Sequence, residues 1–297
     1  MMYKMESLSV IVNGISMGAI YGLIALGLTL IFGIMKIINF AHGALLMLSM
    51  MLSYWAWKFT GINPYLLIVI IAPLMFVVGY VTERFFIKPV LDAQKDVREP
   101  IAVLLLTAAL AIVLENLSLM VFGGDYVMAK TTVTDATLVF GGVTLSAARF
   151  YALLIAVVVS GGFYLFLQYS ELGRKLRSCG QDRNTASLMG INVPNTYAIA
   201  FGIGTALLAV AAITLLPFYY VHPTVGGVFM TKAFIVVVLG GLGSVPGALL
   251  GGIIIGLIES IGAQYMTATL TTVIVYAIFL LILFIKPSGL FGSRLEW

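Results

Sequence analysis

Charged residues are scarce in this 297-residue chain, since Asp, Glu, Lys and Arg together make up only 9% of it. A soluble domain carries about 25% of these four residue types. Hydrophobic residues make up 61% of the chain, and so few charges cannot cover that much apolar surface in water. Lipid must cover it instead. The composition therefore predicts an integral membrane protein and excludes a soluble enzyme.

Cysteine and histidine are also nearly absent. The single cysteine, Cys179, excludes a disulfide framework and any cysteine-based zinc or iron–sulfur site. The two histidines, His42 and His222, are too few for a multi-histidine metal centre, so we expect no metal site and no cofactor. The net charge of +4 comes without a dense basic tract. Nucleic acid is therefore not an expected partner, and the positive charge is better explained as loop charge that orients membrane spans.

Long apolar runs make up most of the chain, and a membrane helix needs about 20 such residues. Their continuity excludes a porin-like barrel, whose strands would alternate between polar and apolar residues. We predict an all-α, polytopic transmembrane helical bundle that forms a single domain over residues 1–297. Eight spans are expected, near residues 8–32, 37–57, 65–83, 101–121, 150–169, 196–217, 233–262 and 268–286. The first run is too long for a cleavable signal peptide. The segment 233–262 is long and rich in glycine, so we expect a broken or re-entrant piece within it.

Basic residues collect in two loops, and such loops usually face the cytoplasm. They are Arg84, Lys88, Lys95 and Arg98 in the first loop, and Arg174, Lys175, Arg177 and Arg183 in the second. Two spans separate these loops, which agrees with a common side. The loop 122–149 is then external, and its pattern suggests a small hairpin. The same parity puts the N-terminus outside and, with eight spans, the C-terminus outside too. Lys286 and Arg294 argue against that second placement, which stays open.

Two similar strings indicate an internal repeat. His42–Leu46 resembles Pro246–Leu250, and each string follows a polar or glycine-rich break. Inverted repeats with interrupted helices are typical of transporters, although short strings of this kind also recur by chance, and both interpretations stay open. Glycines at fourfold spacing accompany the strings, and such glycines let membrane helices pack closely. The glycines to which we assign helix packing are Gly14, Gly18, Gly22, Gly247 and Gly251.

The same two breaks are the predicted translocation path or gate. Asn39 and His42 are three residues apart, so on a helix they would share a face and offer hydrogen bonds to a polar solute. They could equally cap helix ends. The second break frees backbone groups at membrane depth, which is tolerated only beside protein or a water-filled cavity, although close packing would also explain its glycines. The residues of this prediction are Asn39, Phe40, His42, Gly43, Gly240, Gly241, Gly243 and Ser244.

No site for covalent chemistry is present in the sequence. The stretch Gly124–Thr131 lacks the second glycine of a nucleotide-binding P-loop, so we expect the chain neither to hydrolyse ATP nor to be an enzyme. Glu115 is the clearest acidic residue inside a predicted span. It would be either a proton relay or a carboxyl group bonded to an adjacent helix. Because we expect no second carboxylate and no basic partner at depth, ion-coupled transport has little support.

The basic loop 170–195 is the most informative segment. Asp182 or Asn184 can cap a short helix over residues 185–189, Gly190 follows at its C-terminal end, and Pro194 prevents its continuation. A two-turn helix outside the membrane has no core of its own to join. We therefore expect a docking element for another protein, with a topology-setting basic loop against anionic lipid as the alternative.

At this loop the sequence resembles a known family. The segments 173–177 and 181–192 resemble the coupling segment of the LivH-type permeases, which are inner-membrane subunits of bacterial ABC importers for branched-chain amino acids. The resemblance continues through residues 39–43 and 240–247 and covers essentially the whole chain. Many relatives have a Glu-Ala pair where this chain has Asn184 and Thr185, so the helix start is kept and one charge is lost.

The resemblance implies a multi-pass permease of the bacterial inner membrane. It would carry leucine, isoleucine or valine or, as in near relatives, urea, short amides or other amino acids. Its partners would be a second, LivM-like permease, two cytoplasmic P-loop ATPases and a periplasmic substrate-binding protein, with membrane lipid around it. The coupling residues toward the ATPase would be Arg174, Arg177, Asp182, Asn184, Ala186, Leu188 and Gly190. The rival hypothesis is a stand-alone channel or ion-coupled carrier that uses Glu115, and such a protein has no use for a docking helix.

Overall fold

The computed structural model describes residues 2–93, 101–131, 133–140 and 143–292. Lys95, Arg98 and Arg294 of the orientation argument, and Gly141 and Gly142 of the predicted hairpin, lie outside the described residues. The helices are α1 (Met2–Met35), α2 (His42–Thr60), α3 (Ile68–Thr82), α4 (Lys88–Ala93), α5 (Ile101–Phe122), α6 (Ala147–Tyr169), α7 (Glu171–Gln181), α8 (Arg183–Leu188), α9 (Val193–Leu215), α10 (Val225–Gly240), α11 (Val245–Tyr265) and α12 (Ala268–Ile285). A 3-10 turn at Pro64–Leu67 precedes α3, and a π-helical turn at Glu83–Ile87 joins α3 to α4.

Seven helical segments within the described chain are long and apolar enough to cross a membrane. They are Leu8–Met35, Pro64–Ala93, Ile101–Phe122, Ala147–Tyr169, Val193–Leu215, Val245–Tyr265 and Ala268–Ile285. Each coincides with or overlaps a predicted span, and the polytopic helical bundle is confirmed. The remaining prediction, residues 37–57, falls on α2, which carries His42 and Lys58 and is less apolar.

The prediction of one continuous span over 233–262 is wrong, because two helices occupy this segment. Its first part belongs to α10, which begins at Val225, and its second part belongs to α11. The chain breaks between them because Gly241 and Gly243 have φ values of 105° and 84°, which side-chain-bearing residues rarely adopt. Ser244 then caps α11 by accepting a hydrogen bond from the Gly247 amide at 3.2 Å. The broken piece expected from the glycine content is therefore present.

Helices α1 and α9 form the centre of the bundle, and both are largely buried by their neighbours. Helix α1 packs on α11, α9, α6 and α10, while α9 packs on α3 and α2. Helices α5 and α12 lie at the periphery with mostly exposed apolar side chains. An apolar helix surface that no other helix covers suits lipid or a second membrane protein.

Glycines set the closest helix contacts. A Cβ atom on Gly18 would lie 2.6 Å from the Ile253 Cα atom of α11, and one on Gly14 or Gly22 would meet the same helix at 3.0 or 3.2 Å. On the other side of α11, a Cβ atom on Gly251 would lie 2.8 Å from the Val236 carbonyl of α10, and Gly247 faces the Gly240 carbonyl. All five predicted packing glycines thus lie where backbone approaches backbone.

The C-terminal segment lies at the same end of the bundle as α7. Gly33, near the end of α1, lies against both Gly180 of α7 and Gly243 of the break. The amides of Leu290 and Phe291 donate hydrogen bonds to the carbonyls of Leu239 and Gly240 at 2.8 and 3.0 Å. The prediction that eight spans place the C-terminus on the side opposite the basic loop is therefore wrong. Helix α10 provides an additional pass through the bundle, so the C-terminal segment and the basic loop lie on the same side.

A two-stranded hairpin follows α5, as the pattern in 122–149 suggests. Strand β1 (Thr137–Phe140) pairs antiparallel with β2 (Val143–Ser146). The same loop is held to the connection between α9 and α10 by two hydrogen bonds between Val127 and Val221, at 3.1 and 2.7 Å. This loop and the hairpin thus lie at the end of the bundle opposite α7.

Candidate functional site

The basic loop folds as two short helices. Ser170 caps α7 by accepting a hydrogen bond from the Gly173 amide at 2.8 Å. Helix α7 buries Leu176 and Cys179 against the bundle, and burial raises the pKa of the Cys179 thiol. Because its glycine Gly180 lies against Gly33, α7 is packed directly on the end of α1.

Helix α8 is closed at both ends by its own sequence. The Asp182 carboxylate accepts hydrogen bonds from the Asn184 amide at 2.8 Å and from the Thr185 hydroxyl at 2.5 Å. At the other end, Gly190 has a φ of 83°, its amide donates to the Ser187 carbonyl, and the Ile191 amide donates to the Ala186 carbonyl. This is the Schellman arrangement that glycine favours. Of the two predicted caps, Asp182 is the one that caps, and α8 begins two residues before the prediction.

The tip of the loop exposes apolar side chains. Leu188 is 87% exposed and Met189 is 79% exposed, whereas Ala186 is buried against the bundle. A two-turn helix whose caps fix it and whose outer residues are apolar is suited to docking on another protein. The docking role itself stays a prediction.

Replacing Asp182 with alanine should loosen α8 without unfolding the bundle. The two hydrogen bonds from Thr185 and Asn184 lower the pKa of the Asp182 carboxyl, so the cap is present at neutral pH and is lost only as pH falls through that lowered value. Hydrogen exchange of the amides of residues 184–188 should become about fivefold faster in Asp182→Ala. Asp182→Asn is the matched control, because asparagine caps about as well. Equal protection in Asp182→Ala would show that the cap does not hold this helix.

Arg174 and Arg177 bond back to the end of α6. The Arg177 guanidinium donates to the Gln168 side-chain oxygen at 2.7 Å and to its carbonyl at 3.2 Å, and Arg174 donates to the Tyr169 carbonyl at 3.2 Å. The last carbonyls of a helix have no partner within it, and these arginines supply one. They join α6 to α7, and their contact with an ATPase stays a prediction.

The first break is buried among helices. Asn39 and His42 are fully buried; the Asn39 side chain accepts from the Ala41 amide at 3.0 Å, and His42 Nε2 lies 2.9 Å from the Ile24 carbonyl. A carbonyl only accepts, so His42 donates from Nε2. Gly43 lies against the Gly226 carbonyl of α10, and Phe40 is partly exposed. Here the break joins α1, α2 and α10.

The second break borders an inner cavity of about 300 Å³ beside α7. Gly243 and Val245 line it from the break, and Gly33 and Gly180 line it from α1 and α7. The break and the basic loop therefore share this cavity, and both contact Gly33 of α1. The role of either break in a solute path stays a prediction.

A larger cavity, of about 690 Å³, opens at the opposite end of the bundle. Residues of the first half of α1, of the α9–α10 connection and of the second half of α11 form most of its wall. Apolar and polar side chains share it: Asn13, Met17, Tyr21, Tyr126, Arg149, Phe218, Tyr219, Tyr220, His222, Thr224, Val225, Val228, Glu259, Ser260 and Ala263, with Gly256. We call it the outer cavity. Ligand pockets of about 300–1,000 Å³ with this mixed lining are typical of small-molecule sites.

An ion pair lies beside the outer cavity. The Lys232 ammonium of α10 is 2.9 Å from each carboxylate oxygen of Glu259 on α11. The Tyr21 hydroxyl of α1 donates to Glu259 at 2.7 Å and accepts from Lys232 at 2.7 Å. Charged groups within membrane helices are costly, and they usually mark functional sites.

The expectation that no second carboxylate and no basic partner lie at depth is wrong. Lys232 lies one residue outside the predicted span 233–262, and Glu259 lies within that span. The sequence signal for this ion pair is that Lys232 and Glu259, of opposite charge, lie on the two sides of a glycine-rich break. Glu83 is a further carboxylate: it is fully buried, and neither of its oxygens accepts a hydrogen bond in the described ranges.

One interpretation of Glu115 was a carboxyl group that bonds to an adjacent helix. Within the described residues, Glu115 forms no such hydrogen bond. It is half-buried on the peripheral helix α5. In the same part of the chain, no group of His, Cys, Asp and Glu residues could hold a metal ion. Glu115 is not among the residues that line the outer cavity.

These features define a class, the polytopic membrane permeases, and sequence comparisons specify it further. Residues 10–283 match the family described as "Branched-chain amino acid transport system / permease component", so the chain belongs to this permease family. Members of the family are components of transport systems rather than enzymes. The predicted resemblance to the LivH-type permeases is thereby confirmed.

Relatives from bacteria and from an archaeon resemble the chain over nearly its full length. It is 32% identical to the "High-affinity branched-chain amino acid transport system permease protein BraD" of Pseudomonas aeruginosa, over 95% of this chain and 94% of the relative. It is 32% identical to the protein LivH of the same description from Escherichia coli K12, over 94% of each chain. A probable LivH of Methanocaldococcus jannaschii is 30% identical over 93% of this chain and 89% of the relative. No solved structure matches the chain.

Proposed function

We propose that this chain is the transmembrane permease subunit of an ABC importer that carries leucine, isoleucine and valine across a bacterial inner membrane. The observation that carries the proposal is the family match over residues 10–283, together with relatives whose names specify branched-chain amino acid transport. The outer cavity suits such a solute, because apolar and hydrogen-bonding side chains lie side by side in it.

The proposed energy source is a pair of cytoplasmic P-loop ATPases. Leu188 at the end of α8 and Met189 directly after it are exposed, and both side chains are available to a partner. Since α7 packs on the end of α1, a force on α8 would reach the centre of the bundle through rigid helices. The predicted coupling residues, from Arg174 to Gly190, all belong to this loop or to its attachment.

The remaining proposed partners are a LivM-like second permease and a periplasmic substrate-binding protein. The peripheral helices α5 and α12 leave wide apolar surfaces that a second permease and lipid would cover. The outer cavity opens at the end opposite the basic loop, where a binding protein would release its solute. The predicted path residues of the two breaks would then lie between this cavity and the cytoplasm.

Reconstitution tests the proposal. The chain, its second permease, both ATPases and the binding protein, placed in proteoliposomes, should accumulate radiolabelled leucine, isoleucine and valine only with ATP. A complex whose ATPases lack the P-loop lysine is the matched control and should accumulate nothing. Excess urea or acetamide should not compete. Competition by these amides would favour the alternative substrates, and uptake by the chain alone without ATP would favour a channel or carrier.

A further inference from the structure

We propose that Tyr21, Lys232 and Glu259 form a binding site for the charged head group of a zwitterionic amino acid, and we call them the polar triad. The inference rests on the proposed function, because it concerns the solute that this permease carries. Glu259 would bind the α-ammonium of the solute and Lys232 its α-carboxylate, while Tyr21 orients both protein charges.

The triad brings together side chains from three helices, and it is only partly buried. Tyr21 is on α1, Lys232 on α10 and Glu259 on α11, so no local sequence motif brings the three together. The side chains of Lys232 and Glu259 are each 25% exposed, and Tyr21 and Glu259 belong to the wall of the outer cavity. A solute in this cavity can therefore reach Glu259 and Tyr21. Lys232 lies directly beside them, with its ammonium 2.9 Å from Glu259 and 2.7 Å from the Tyr21 hydroxyl.

Unused hydrogen-bonding capacity points to a ligand of both charge signs. The Glu259 oxygen Oε2 accepts hydrogen bonds from Tyr21 and Lys232, whereas Oε1 lies 2.9 Å from the Lys232 ammonium in the ion pair. A carboxylate offers about four acceptor positions and two are used at Oε2, so Glu259 can accept another N–H. An ammonium has three N–H donors, and Lys232 uses two of them, toward the Tyr21 hydroxyl and Glu259 Oε2, which leaves one for an oxygen of the solute. A zwitterion presents one ammonium and one carboxylate, and each can add to the pair without leaving either protein charge uncompensated.

The rest of the outer cavity suits an aliphatic side chain. Met17, Val225 and Val228 line it near the triad, on the same two helices that carry Tyr21 and Lys232. A branched aliphatic solute would then place its head group on the triad and its side chain on these residues. The two analogues of leucine that lack one charge each, 4-methylpentanoate and 3-methylbutylamine, should bind poorly because each leaves one charge of the triad without a partner.

The test measures equilibrium binding of tritiated leucine to the purified permease–ATPase complex without the binding protein. The wild-type complex should bind leucine saturably, and unlabelled leucine should displace it at least about 30-fold more effectively than either single-charge analogue. Lys232→Gln with Glu259→Gln removes both charges at once and so leaves no unpaired charge in the membrane. This double variant should weaken leucine binding at least about 30-fold while eluting as an intact complex.

Two further variants keep the test decisive. Glu115→Gln removes a carboxylate from α5, away from the outer cavity, and should leave leucine binding unchanged. Tyr21→Phe removes one hydroxyl only, and should weaken binding about tenfold even where the double variant does not assemble. Wild-type affinity in the assembled double variant or in Tyr21→Phe, or equal displacement by the single-charge analogues, would overturn the inference. Failure of the proposed function is a different result, namely no ATP-driven uptake of leucine by the wild-type importer.

Discussion

Replacing Gly190 with valine is expected to reduce ATP-driven uptake at least about 20-fold while the chain still inserts into the membrane. Gly190 has a φ of 83°, and a β-branched residue is strained there even though open space surrounds the position. The strain would break the hydrogen bonds that end α8, namely Gly190 to Ser187 and Ile191 to Ala186. A helix of six residues has no other turn to compensate, since short helices are marginal by themselves.

Gly61→Val is the matched control for this variant. Gly61 ends α2 with a φ of 67°, and it too has open space around it, so valine introduces the same kind of strain far from the basic loop. Uptake per assembled complex should stay within about twofold of wild type in Gly61→Val. Ala186→Asp, which puts a charge at a buried position of α8, should abolish uptake as Gly190→Val does. Normal uptake in both Gly190→Val and Ala186→Asp would refute the docking role of α8.

Gly256→Leu is expected to remove most folded protein from the membrane. A Cβ atom on Gly256 would collide with the backbone of Gly14 and Gly18, and backbone cannot move aside as a flexible side chain can. Helix α1 is the central helix and packs along α11, so separating them would disturb the core of the bundle. Overpacking of a well-packed core costs about 1–3 kcal/mol and occasionally more, and a leucine against backbone belongs at the upper end.

The control for this variant is Gly161→Leu on α6. A Cβ atom on Gly161 would meet nothing within 4 Å, so the same substitution adds apolar surface without a collision. Fluorescence-detected size exclusion should show a normal peak for Gly161→Leu and a peak reduced at least about tenfold for Gly256→Leu. Equal peaks would mean that α1 and α11 can separate without loss of the fold.

Helix α8 was predictable because its signals are local. Asp182 and Gly190 mark its start and its end, and Pro194 lies in the first turn of the next helix, α9. Each acts through its own backbone or through neighbours a few residues away. The membrane helices were predictable for a similar reason, since each consists of a continuous apolar run. The boundaries of α9, Val193–Leu215, differ from the predicted 196–217 by two or three residues.

The polar triad was not predictable in the same way, because it depends on how distant helices meet. Tyr21 and Glu259 are 238 residues apart, and only the contact of α1 with α11 brings them together. The side of the membrane on which the C-terminal segment lies was predicted wrongly for another reason. Helix α10 has 16 residues, about 24 Å of helix, which is shorter than the length used to recognise a span.

The repeat remains a prediction with one structural parallel. His42 is the first residue of α2, and Pro246 is the second residue of α11, so the two similar strings occupy equivalent places after a break. The predicted gate residues likewise stay untested by geometry alone. Asn39 and His42 bond to the backbone of their own chain, and any role in conduction would require those bonds to be exchanged.

The bonds between residues 289–291 and the end of α10 have a consequence for biosynthesis. The carbonyls of Leu239 and Gly240 bond to the amides of Leu290 and Phe291, which a ribosome adds about fifty residues later. Until then these two carbonyls lack that partner at the inner end of the bundle, and an unsatisfied carbonyl in lipid is costly. The permease therefore cannot complete its inner end during insertion.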